Sequence, residues 1–128
     1  MSKANIRNEA LKWFEATYPD NNSPVVTSKF YSSQESWSNT RVWFFQLPIK
    51  ILTPSNKEVH LLCENHLDGD AFFHLKVPTI FIVRNESAFE IDSKTKVLRI
   101  YLSAEATDTF KEVRKSRIDF GVFVQNPK

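Results

Sequence analysis

From Arg41 onward the chain is cut into short apolar runs of strand length, and this constrains the fold more than any other feature. Arg41–Leu47, Glu58–His66, Ala71–Val77, Thr79–Val83, Ser87–Ile91, Val97–Ser103 and Phe120–Gln125 all carry the β-branched and aromatic content of strands. Turn chemistry separates them: Pro54-Ser55-Asn56 and Asp92-Ser93-Lys94-Thr95 are hairpin candidates, and Pro48 and Pro78 mark edges, bends or bulges. Short connections favour pairing between successive strands, so the spacing predicts an antiparallel meander of six or seven strands.

Helical spacing flanks this region. Over residues 3–18, Ile6, Ala10, Trp13, Phe14 and Thr17 recur on one face, with Ser2 as N-cap candidate and Pro19 as the stop. Asp20-Asn21-Asn22 is turn chemistry, Val25–Tyr31 reads as a further short strand, and Ser32–Thr40 as a serine-rich loop around Trp37. Ala106, Phe110 and Val113 predict a second helix between Ala104 and Arg117, before the last strand. The expected class is α+β, in one domain spanning residues 1–128.

The runs Val42–Leu47, Thr79–Val83 and Leu98–Leu102 are apolar on both parities, or nearly so. A half-solvated antiparallel sheet would alternate cleanly, so both faces of these segments need cover. Two helices can cover part of it. The remainder points to a curled sheet or to a partner, with a homodimer as the expectation.

Composition removes whole classes of function. The chain has two glycines, Gly69 and Gly121. A Walker loop or a dinucleotide fingerprint needs glycines at set spacings so that backbone can approach phosphates, and neither can be written here. A single cysteine, Cys63, excludes an intrachain disulfide and a multi-cysteine zinc site. The N-terminal residues lack the apolar core of a signal peptide, and no apolar run reaches membrane-spanning length. The expectation is a cytoplasmic protein with no membrane partner and no cofactor. The net charge of +2 lies wholly in residues 81–128, which carry nine basic against seven acidic side chains.

The densest group of functional side chains is His60 to Lys76. Strand alternation puts His60, Leu62, Glu64 and His66 on one face and Val59, Leu61 and Cys63 on the other. A three-residue turn at Asp68-Gly69-Asp70 would pair Glu64 with His74 and His66 with Phe72. His60, Glu64, His66 and His74 would then share a side, with the ligand types that zinc, iron or manganese take in metal-dependent hydrolases. The plainer reading is the solvated face of a hairpin whose other face is core. A one-residue slip would send His74 to the opposite side from Glu64.

Three weaker patterns complete the set. Asp70 with Asp92-Ser93-Lys94 has nuclease-like spacing, but the latter segment fits a hairpin turn better. Lys111, Arg114, Lys115 and Arg117 would form a cationic face on the second helix, suited to phosphates, though basic residues also collect at helix C-termini to complement the dipole. Tyr31, Glu35, Trp37 and Trp43 flank the serine-rich loop as a ligand-pocket candidate, with sheet closure as the alternative. Cys63 falls on the core side, where a thiol behaves as a small hydrophobe. Phe120-Gly121-Val122-Phe123-Val124 lacks the basic and aromatic positions of an RNA-stacking strand. The reading that results is a small non-enzymatic binding or interaction protein, with a metal-dependent hydrolase or nuclease and a weak nucleic-acid binder as alternatives.

Overall fold

The computed structural model describes residues 6–19, 23–28, 30–32, 40–65, 71–113 and 118–125. Its elements in chain order are α1 (Ile6–Thr17), β1 (Val25–Ser28), β2 (Phe30–Tyr31), β3 (Val42–Pro48), β4 (Glu58–Glu64), β5 (Phe72–Pro78), α2 (Thr79–Arg84), β6 (Glu90–Asp92) and β7 (Val97–Ser103). The class is α+β, but the strands form two sheets and not one meander. A three-stranded mixed sheet has the order β1-β4-β5, with β1 parallel to β4. A four-stranded antiparallel sheet has the order β2-β3-β7-β6.

Alternation along the strands builds a shared core from both sheets. Trp43, Phe45 and Leu47 of β3 and Leu98, Ile100 and Leu102 of β7 meet Val59, Leu61 and Cys63 of β4 and Leu75 and Val77 of β5. Burial of this apolar surface drives folding at roughly 25 cal/mol per Å2. On the outer side of the three-stranded sheet, α1 lays Ala10 and Phe14 over Leu62 and Phe72. The layers are therefore helix, mixed sheet, core and antiparallel sheet.

The two sheets are joined where the chain passes from β1 to β2. The Phe44 N–H donates to Ser28 Oγ at 2.8 Å, and the Phe30 N–H to Glu64 Oε1 at 2.7 Å. The indole of Trp43 donates to the backbone carbonyl of Glu64 at 2.9 Å. The expected single strand over Val25–Tyr31 is thus two short strands in different sheets. The expected hairpin around Pro54-Ser55-Asn56 is absent for the same reason, since β3 and β4 lie in separate sheets.

Thr79–Val83 is helix, not strand. The β4–β5 ladder ends at Glu58↔Pro78, so no neighbouring strand remains to bond residues 79–83. Backbone groups must find partners, and a helix supplies them internally. Ser87–Ile91 is a one-turn 3-10 helix at Glu86–Ala88 followed by β6, and Phe120–Gln125 is a 3-10 turn with a single bridge from Val124 to Leu75.

The second helix expected over Ala104–Arg117 is not formed in its described part, residues 104–113. Local side-chain bonds compete with helix there. Ser103 Oγ donates to Asp108 Oδ1 at 2.6 Å and accepts the Glu105 N–H at 3.0 Å, while Thr109 Oγ1 donates to the Glu105 carbonyl at 2.6 Å. Phe110 then takes a positive φ of 68° and stacks on Trp43 at 5.3 Å. Glu105 anchors the segment to Arg41 through a guanidinium pair at 2.8 and 3.2 Å, which holds its carboxyl down at about 2.

Candidate functional site

The β4–β5 hairpin brings His60 and His74 together, in a register two residues from the expected one. Leu62 opposes His74, His60 opposes Lys76, and Glu64 opposes Phe72. A two-residue shift preserves parity, so the faces are as expected while the partners differ. His60 and His74 become diagonal neighbours, and His60 Nδ1 lies 2.8 Å from His74 Nε2. The face is not solvated. It lies beneath α1, and His60 and His74 are 3% and 1% exposed. Phe14 packs against both rings at 4.9 and 5.3 Å, and Tyr18 against His74 at 4.9 Å.

Charge around the pair selects its tautomer. Glu58 Oε2 sits 3.5 Å from His60 Nε2, and Lys76 Nζ 3.8 Å from Glu58 Oε1. A carboxylate facing His60 Nε2 favours a proton on that nitrogen, which makes Nδ1 the acceptor and His74 Nε2 the donor. Burial lowers the pKa of both rings, and His74 is held down to about 4 with further help from His60 and Lys76. Both imidazoles are neutral at pH 7. They form a coupled pair in an aromatic cage, beside a hollow of about 360 Å3 opening at Tyr18, Glu58 and Lys76.

The metal candidates do not converge. The Glu64 carboxylate is turned to the Phe30 N–H, and His66 lies outside the described residues, as does the 68–70 turn. Among the described residues, no group of three or more His, Cys, Asp or Glu side chains could hold a metal ion. Cys63 faces the opposite side of β4, in the core, where burial pushes its thiol pKa well up. Asp92 is a turn residue: it accepts the Lys94 and Thr95 N–H groups and pairs with Arg99 at 2.9 Å, while Asp70 is outside the described residues.

The other candidates separate in the same way. Trp43 is 1% exposed and belongs to the core, Tyr31 is half-buried in β2, and Glu35 and Trp37 lie outside the described residues. Lys111 sits on an irregular segment bridged to Asp119, so it presents no helical cationic face; Arg114, Lys115 and Arg117 lie outside the described residues.

The feature that strand alternation did not reveal is at α2. Its six residues include four consecutive apolar side chains, Ile80 to Val83. Ile82 enters the core and Phe81 packs on Phe120 and Phe123. Ile80 and Val83 point away and are 58% and 44% exposed. They wall a cleft of about 480 Å3 with Leu52 and Pro54 opposite, Thr79 buried at its base and Lys57 exposed at its rim.

The cleft is held in shape by its own hydrogen bonds. The Asn56 side chain donates to the Ile51 carbonyl at 2.9 Å, the Asn56 N–H to Thr53 at 3.0 Å, and the Thr79 N–H to the Lys57 carbonyl at 2.9 Å. Thr79 Oγ1 is sealed from solvent and has no hydrogen-bond partner among the described residues. The signal for this site was in the sequence: Ile80–Val83 is an unbroken apolar run, and a surface segment of that kind lacks cover on one side. No family model matches the chain, and neither curated proteins nor solved structures contain a significant match to it.

Proposed function

We propose that the chain is a small, non-enzymatic, cytoplasmic binding protein that holds one small apolar molecule in the cleft beside α2. The observation that carries this reading is the exposure of Ile80 and Val83 within a concave, preformed, largely apolar cleft. Its volume falls in the range of small-molecule sites, about 300–1,000 Å3. The histidine pair supports binding over catalysis, because both nitrogens of His60 are directed to His74 and Glu58 and both rings are buried. Among the described residues, neither ring is hydrogen-bonded to a serine or cysteine nucleophile. A single buried thiol at Cys63 suits a reducing compartment, and no described helix is long and apolar enough to cross a membrane.

A small ligand fits better than a second copy of the chain. Stable protein interfaces use roughly 20–30 residues a side, far more than line this cleft. The test is titration with the neutral, polarity-sensitive dye N-phenyl-1-naphthylamine. The wild type is expected to bind one equivalent with a blue-shifted emission, and Ile80→Asp/Val83→Asp to lose it. Equal binding by the double variant would overturn the reading. So would a wild-type dimer in sedimentation that the double variant dissociates, since that assigns the cleft to a second copy.

A further inference from the structure

Resting on the cleft as a ligand site, we propose that its ligand class is an apolar monocarboxylate: an acyl or aryl acid whose body lies along Ile80 and Val83 and whose head group meets Lys57. Lys57 is the charged residue of the lining, and no acidic residue lines the cleft among the described residues. Its sequence neighbour Glu58 does not neutralise it. Glu58 projects to the other side of the sheet, where His60 and Lys76 engage it. The Lys57 backbone is fixed against the start of α2 by its bond from the Thr79 N–H. This puts an exposed lysine in the lining of a trough whose other lining residues are uncharged.

Complementarity sets the class. A neutral hydrocarbon would leave Lys57 unused, and a cation would be repelled by it. A dicarboxylate or phosphorylated compound would place a second charge against Leu52, Pro54 or Val83, where it would lose its water without gaining a partner. A monoacid matches both ends. The ammonium contact is exposed, so it adds selectivity more than strength.

The test is displacement of N-phenyl-1-naphthylamine by octanoate and by 1-octanol at pH 7.5. These share a chain and differ in the head group. Octanoate is expected to displace the dye at about three- to tenfold lower concentration than the alcohol. Measured against each variant's own dye affinity, Lys57→Gln should remove that preference, Lys57→Arg should retain it, and 0.5 M salt should narrow it. Equal displacement by acid and alcohol, or a preference that survives Lys57→Gln, would overturn the acid class while dye binding left the cleft reading intact. Failure of the wild type to bind dye, or dye binding that survives Ile80→Asp, would remove the cleft reading and this proposal with it. Lys57 and Ile80 are both exposed positions, and circular dichroism with an unchanged thermal transition confirms that the variants are folded.

Discussion

Two regions break the usual partition of side chains in opposite senses. Beneath α1 two imidazoles are buried, whereas at α2 two aliphatic side chains are exposed. The first departure is compensated in part inside the molecule: one nitrogen of each ring shares a hydrogen bond, and the rings are caged by Phe14 and Tyr18. The second has no compensation among the described residues. A hydrogen bond within the pair accounts for part of the buried polarity without an external ligand, while exposed aliphatics in a concave surface are the kind of feature small apolar ligands cover. This contrast is what favours the cleft over the histidine pair in the proposed function.

The sharpest way to break the contrast is to uncover the histidines. Phe14→Ala removes the ring that seals both, and it should cost about 3–5 kcal/mol in urea unfolding. It should also bring the His74 pKa back up, because burial is the main cause of its depression.

The pH dependence of the wild type follows next. His74 stands at about 4 in the folded chain against 6.5 for its ordinary value. Between those values the unfolded chain binds the proton and the folded chain does not, so stability falls as pH drops. It is fully present above pH 6.5 and lost progressively towards pH 4, by an amount on the order of 3 kcal/mol. His60 adds in the same direction. The double variant His60→Leu/His74→Leu should flatten this slope and keep near wild-type stability at pH 7.5, since replacing both partners leaves no polar group stranded. Chemical denaturation at pH 7.5, 5.5 and 4.5 reads both effects. A slope unchanged in the double variant would place the acid sensitivity elsewhere.

Smaller effects belong to the cleft. Thr79→Val exchanges a buried hydroxyl that has no hydrogen-bond partner among the described residues for a methyl group of the same shape, and should raise stability by about 1 kcal/mol. Ile80→Asp, at a surface position, should alter stability by no more than about 0.5 kcal/mol while abolishing dye binding. A large loss of stability there would make Ile80 a core residue and undo the contrast.

Much of this was legible in the sequence, for identifiable reasons. β3, β4, β5 and β7 fall within about two residues of their expected bounds, because alternation over seven residues is a strong signal. The faces of the histidine hairpin were also legible, since parity survives a two-residue shift in register. What covers those faces was not. α1 returns over the mixed sheet because β1 pairs in parallel with β4, and a parallel pairing across that distance leaves no local trace. Thr79–Val83 was ambiguous because a short run that is apolar on every side has no period to separate strand from helix. The segment after Ser103 misled in the other direction. Its apolar spacing was helical, but Ser103 and Thr109 bond the backbone of Glu105, Asp108 accepts from the Ser103 hydroxyl, and Phe110 leaves the helical region altogether.

The most direct test of the central claim is a map of amide shifts in the 15N-labelled protein as N-phenyl-1-naphthylamine is added to saturation. Shifts confined to residues 52–57 and 79–84, with His60 and His74 unmoved, are expected. Shifts centred on His60, His74 and Tyr18, with none at Ile80 or Val83, would contradict it and return the site to the buried imidazoles.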